Sequence, residues 1–246
     1  MANFIPFKAY ILWILDEFIK MYEINGPFLD GGCGKGDVAL HLAKKGWQGT
    51  AIDNSLHAVE VAKKLLQPFP QVQVNKSSIQ EDQGKKYNLI LLLDVIEHIS
   101  DDQALLSAAA NMENPGAYLI ITVPSNPERE WRWDDDFYGH LRRYRPQELH
   151  LLLDSCGYQI AELWDISFPI FWLLRRGFTV LKQPPNIEDN PLIRTERSPF
   201  IDAWEMGRIS DFLSNPIFWK PAFRVQKRFR NHLEKGHELA ILAKRI

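Results

Sequence analysis

Cysteine is scarce in this 246-residue chain: only Cys33 and Cys156 occur, far apart and without metal-ligand neighbours. That excludes a disulfide framework and a zinc site; no metal is expected, and the usage fits a reducing cytoplasm. Charge of one sign is lacking as well. Twenty-nine Lys and Arg stand against 31 Asp and Glu, a formal charge of −2. With no basic footprint, no nucleic-acid partner is expected. Long apolar runs are also missing. Residues 10–15 begin one, but Asp16, Glu17 and Lys20 cut it short. It has the form of neither a membrane span nor a signal peptide, so the expected location is the cytoplasm. Internal repeats and low-complexity tracts are absent.

What is present begins with aromatics. There are eight Trp and 14 Phe, and Trp131, Trp133, Trp164, Trp172, Trp204 and Trp219 all fall in the second half of the chain. The hydrophobic share of 46% is ordinary for a globular protein, and the length suits one α/β core with decoration. Periodicity predicts helices over 7–21, 37–45, 56–66, 102–112 and 146–155. Strands are predicted at 28–29, 48–52, 72–74, 87–93, 118–123, 160–164 and 239–243, with Pro115-Gly116 as a turn before the fifth. The alternation implies a Rossmann-like, mostly parallel seven-stranded α/β sheet with helices on both faces. Between the last two strands lies an insertion far longer than an ordinary connection. It divides the chain into an N-terminal helix (1–27, expected to cap the cofactor site), a core (28–165), the insertion (166–235) and a last core strand (236–246).

The first strand runs into Asp30-Gly31-Gly32-Cys33-Gly34-Lys35-Gly36. Alternating Gly32, Gly34 and Gly36 let the backbone pass close to a ligand, and the helix that follows offers free amides. Such a turn also serves nicotinamide and flavin proteins. Asp30 stands at the strand end, where an acid holds the loop or a cofactor amino group. Asp53 ends the second strand, where a carboxylate takes ribose hydroxyls. The fourth strand delivers Asp94-Val95-Ile96-Glu97-His98-Ile99.

Together with residues 114–124, these segments resemble the successive motifs of class I S-adenosylmethionine (SAM)-dependent methyltransferases. The resemblance covers about residues 28–165 and the last strand. It implies SAM as cofactor, with Gly32, Gly34 and Gly36 at its methionine part and Asp53 at the ribose. Ser78 and Ile79 would lie beside the adenine and Asp94 by the methionine amino group or sulfonium. Ser78 departs from the acid many relatives carry, Lys35 from the usual Thr or Ser, and Gly31 from a branched apolar residue. Glu97 and His98 read either as a helix-start pair facing solvent or, for His98, as a catalytic group. Cys33 reads as packing.

After the fifth strand comes Asp134-Asp135-Asp136-Phe137-Tyr138-Gly139-His140-Leu141-Arg142-Arg143-Tyr144. It resembles a Gly-His-x-Arg-Arg-Tyr segment of a subset of these enzymes, many acting on small-molecule, lipid or glycan-pathway acceptors. His140 suits a general base near neutrality. Tyr138, Arg142, Arg143 and Tyr144 are candidate acceptor-binding residues, the arginines for a carboxylate or phosphate. The alternative has His140 and Tyr144 hydrogen-bonding the loop while the arginines pair with the neighbouring aspartates. In the insertion, residues 168–182 and 218–233 combine apolar and basic positions. They fit a lid over a hydrophobic acceptor, a peripheral contact with the inner face of a membrane, or a homodimer contact. The expected function is methylation of a small, apolar or lipid-like acceptor. A nicotinamide oxidoreductase and a non-catalytic SAM-binding scaffold are the alternatives; the first leaves residues 94–99 without a purpose.

Overall fold

The computed structural model describes residues 5–81, 84–182 and 216–246. At its centre is β4 (Tyr87–Leu93). Leu89 and Leu91 point to one face and Ile90 and Leu92 to the other, so an apolar run of this kind needs cover on both sides. Around it lie β1 (Phe28–Gly31), β2 (Gly49–Asp53), β3 (Val72–Lys76), β5 (Glu113–Pro124), β6 (Tyr158–Asp165) and β7 (Glu238–Arg245). The order is β3-β2-β1-β4-β5-β7-β6. The first five strands in chain order pair in parallel, while β7 enters antiparallel between β5 and β6. The expected seven-stranded, mostly parallel sheet is therefore mixed at one edge.

One face carries α1 (Pro6–Met21), α2 (Asp37–Ala43) and α3 (Leu56–Leu66); the other carries α4 (Asp102–Asn111) and α7 (Pro146–Ser155). Each start has a local cause. Ser55 accepts from Ala58 N to cap α3, Asp101 accepts from Ala104 N to cap α4, and Pro146 opens α7. From β1 the chain proceeds to β2 and β3 on one side, then returns to β4 on the other. The C-terminal ends of β1 and β4 thus flank the crevice where open α/β sheets bind ligands.

Two expectations are corrected. Pro115-Gly116 does not form a turn ahead of β5 but lies within it. The β4 register jumps from Tyr87↔Glu113 to Leu89↔Tyr118, and Gly116 adopts φ +77°. A residue without an N–H followed by one tolerant of positive φ makes a bulge there. The strand at 160–164 is likewise longer, Tyr158–Asp165, with an irregularity between Ile160 and Glu162.

Beyond β5, short helices α5 (Pro127–Glu130) and α6 (Trp133–Tyr138) precede the loop bearing His140. The insertion between β6 and β7 contributes α8 (Ile170–Leu181) and α9 (Pro216–Arg228). Pro184, Pro185, Pro191, Pro199 and Trp204 lie outside the described residues. Phe171, Arg175 and Thr179 recur every four positions and form the buried face of α8. Phe171 stacks on Trp219 of α9 at 5.6 Å, and Tyr10 of α1 lies 5.0 Å from Phe223. So α1 shares its sheet face with the insertion helices.

Candidate active site

On one side of the crevice the glycine loop wraps the end of β1. Gly32 N and Cys33 N both donate to Ile52 O at 2.9 Å, and Gly34 N donates to Asp53 Oδ2 at 2.9 Å. Asp53 Oδ1 accepts from Ser55 N at 2.8 Å, so this carboxylate ties the loop to the β2–α3 turn. Gly32 has φ +72°, and a Cβ there would come 2.6 Å from Val95 Cγ2. Only glycine lets the loop pass. A cavity of about 180 Å³ opens here, bounded by Gly32, Asp53, Ser78, Ile79, Asp94 and His98 among others. Gly34 and Gly36 stand behind that wall. Gly36, at φ +83°, leads into α2 and packs against Ala62. Asp30 is also behind it, fully buried and accepting from Ala39 N at 3.1 Å. Burial, opposed by that amide and helped by the Asp53 charge, pushes its carboxyl up to about 7.

Asp94 ends β4 in the left-handed region, φ +54°, which a non-glycine residue adopts only when held. The hold is Thr122: its hydroxyl donates to Asp94 Oδ1 at 2.7 Å, and its carbonyl accepts from Asp94 N at 3.1 Å. Asp94 and His98 form a wall shared by this cavity and a second one of about 250 Å³.

The second cavity is assembled from Phe7, Asp94, His98, the α6–His140 segment, α8 and the residues His237 and Glu238. His140 Nδ1 donates to Asp135 Oδ1 at 2.8 Å, leaving Nε2 toward the cavity and 4.0 Å from Glu97 Oε1. Asp135 has no exposed surface. It also receives Arg143 Nε at 2.8 Å, Arg175 Nη2 at 2.9 Å and Arg132 N at 2.8 Å. Burial raises such a carboxyl, but the His140 hydrogen bond and the two guanidiniums outweigh it and hold it below the usual carboxylate range. Asp135 is therefore a fixed anion that orients His140. His98, which donates from Nδ1 to Gly139 O at 3.2 Å, is pulled down to about 4 by burial and by nearby His140. Glu97 is fully buried with neither carboxyl oxygen hydrogen-bonded; burial and Asp94 drive it well above the carboxylate range. Glu97, His98 and His140 each offer a ligand atom, all within 4.8 Å of one another, a group able to hold a metal ion where none was expected.

Residues 13–163 match a family model described as a methyltransferase domain. This chain is a class I SAM-dependent methyltransferase. Its relatives include ubiquinone biosynthesis O-methyltransferases. That of Hydrogenovibrio crunogenus is 30% identical over 188 residues, 74% of each chain. That of Nitrosospira multiformis is 32% identical over 132 residues, 46% of this chain and 55% of the relative. The chain spans about half the length of several of the curated relatives it matches. Its fold is that of a sarcosine dimethylglycine methyltransferase from Galdieria sulphuraria, so described provisionally, with TM-score 0.61 and 16% identity over 94% of this chain and 83% of the other. The [4+2]-cyclase SpnF shares it too, with TM-score 0.60 and 16% identity over 95% and 81%. Membership sets the nicotinamide alternative aside.

In this methyltransferase the glycine loop and its cavity fit SAM, because positive φ at Gly32 keeps the loop's inner side free of side chains. Of the acceptor candidates, Tyr138, His140 and Arg143 line the second cavity. Arg142 and Tyr144 do not: Arg142 donates to Asp102 and Ser100 O, and Tyr144 Oη to Asp102 and Ile96 O. Sequence reasoning did not single out Arg175, His237 or Glu238. Arg175 alone carried a signal, as a cation on the apolar stripe of α8. For the other two, only the pairing of β7 beside β5 brings them to the cavity.

Proposed function

We propose that this methyltransferase moves the methyl group of SAM to a hydroxyl or amine of a small molecule held in the 250 Å³ cavity, with His140 as general base. The supporting observation is the common wall of Asp94 and His98, which puts a nucleoside-sized crevice and an acceptor-sized one back to back. SAM supplies an already activated methyl, so the protein's task is chiefly alignment. Asp53 and the glycine loop hold the cofactor; Thr122 holds Asp94 at the junction. Asp135 keeps a proton on His140 Nδ1, so Nε2 is free to take one from the acceptor. Phe7, Phe171, Phe178 and Tyr138 give the cavity aromatic walls suited to an apolar or lipid-like body.

A radiolabelled-SAM transfer assay against fractionated metabolite and lipid pools tests this. His140→Gln should keep SAM affinity while turnover on the acceptor so found falls about 10²- to 10⁴-fold. Unchanged turnover would remove His140 as base, and no SAM binding would remove the whole reading.

A second reading concerns the insertion. Leu173, Val180 and Leu181 of α8 are exposed beside Arg176 and Lys182, which supports peripheral contact with an anionic membrane. Among the described residues no helix is long and apolar enough to cross one. Sedimentation with anionic liposomes should show binding that weakens with salt.

A further inference from the structure

Two guanidiniums line the larger cavity, and both are occupied by the protein itself. Arg143 donates to Asp135, Ser125 O and His237 O. Arg175 donates to both oxygens of Asp134, to Asp135 and to Glu130 O. Two cations thus face the two carboxylates of Asp134 and Asp135. Three more carboxyls remain on the wall, Asp94, Glu97 and Glu238, and none forms an ion pair with Lys or Arg among the described residues.

The orphaned atoms point the same way. Glu97 has no exposed surface, and neither of its oxygens has a hydrogen-bond partner; Glu238 Oε1 lacks one as well. A buried acceptor without a donor is unfavourable, and a ligand bearing N–H groups relieves it. An entering carboxylate or phosphate would instead find both arginines already engaged. The remaining walls are aromatic faces, which attract a cation.

We propose that the cavity is an amine subsite: it holds a protonated amine of the acceptor between Glu97 and Glu238 and presents that nitrogen at the Asp94–His98 junction with the cofactor crevice. This rests on the methyltransferase reading above and narrows its acceptor. In the reaction the ammonium gives one proton to His140 Nε2. The freed lone pair forms the N–C bond as the methyl carbon–sulfur bond breaks, its electron pair leaving with sulfur in S-adenosylhomocysteine. The product is the methylated ammonium, and the proton on His140 passes to solvent.

The test is titration calorimetry on the full chain with S-adenosylhomocysteine bound, using 2-phenylethylamine, 2-phenylethanol and phenylacetate as probes. The amine should bind at least about tenfold more tightly than the alcohol, and phenylacetate not at all. Glu97→Gln and Glu238→Gln should each weaken the amine about tenfold and leave S-adenosylhomocysteine affinity unchanged. The proposal is overturned if the alcohol matches the amine, if phenylacetate binds, or if no amine binds while S-adenosylhomocysteine does. It is equally overturned if Mg²⁺ or Zn²⁺ occupies Glu97, His98 and His140 and excludes the amine. Failure of S-adenosylhomocysteine itself to bind removes the cofactor reading and the subsite together. Should the glutamine variants unfold, the probe ranking on the unaltered chain decides.

Discussion

The two cavities that meet at Asp94 and His98 are built in opposite ways. The cofactor side is made of strand ends and the turns that leave them: Gly32 after β1, Asp53 at the end of β2, Ser78 and Ile79 after β3, Asp94 after β4. Its parts are held by short backbone bonds within those turns. The proposed acceptor side draws on α1, the 96–98 turn, α6, α8 and the start of β7, and buried ion pairs join α6 to α8 and to Arg143. A site of local turns tolerates change elsewhere in the fold. A site assembled from distant elements depends on each of them.

The largest effect is expected where the local side is most constrained. Gly32→Val meets both the positive φ and the 2.6 Å approach to Val95, and should weaken SAM binding about 100-fold or more by calorimetry, while strain of about 1–3 kcal/mol lowers thermal stability by a few degrees. Retained SAM affinity would show that the loop is less rigid than its geometry implies.

Next is the network of the acceptor side. Arg175→Met leaves Asp134 buried without a cation and removes one of two from Asp135. Losing one partner of a buried pair costs about 3–5 kcal/mol, a fall of roughly 10 °C in melting temperature for a chain of this size. SAM affinity should survive, in contrast with the first variant. If SAM binding fell equally, the two halves would be one cooperative unit.

The third effect is a pH dependence confined to the cofactor side. The Asp30 carboxyl, ordinarily at 3.8, stands at about 7 when folded. The folded state therefore keeps a proton that the unfolded chain has lost. That contribution to stability is complete below about 3.8 and disappears as pH rises through about 7. Asp30→Asn, which can still accept from Ala39 N, should flatten the decline in melting temperature between these values. An unaltered slope would mean that another group is responsible.

Legibility followed the same division. The bounds of α3, β4 and α7 could be read to the residue, because capping residues, a continuous apolar run and an N-terminal proline act locally. The Pro115-Gly116 dipeptide was misplaced because the same chemistry serves a turn and a bulge, and only pairing with β4 decides. The residues that line the acceptor cavity were partly legible: His140, Tyr138 and Arg143 stand in one segment. The company they keep was not, since Arg175 reaches Asp134 and Asp135 across 41 and 40 positions of chain.

By itself, then, the sequence determined the sheet, the glycine loop and the use of SAM, since turn chemistry and periodicity are written in neighbouring residues. Only the tertiary structure decided that Asp135 stands behind His140 and that both cavity arginines are already paired. It also decided that both carboxyl oxygens of Glu97 and Oε1 of Glu238 are buried beside the larger cavity without a hydrogen-bond partner. Those facts depend on which charges the fold buries together, and desolvation acts on residues that share a cavity however far apart they lie along the chain.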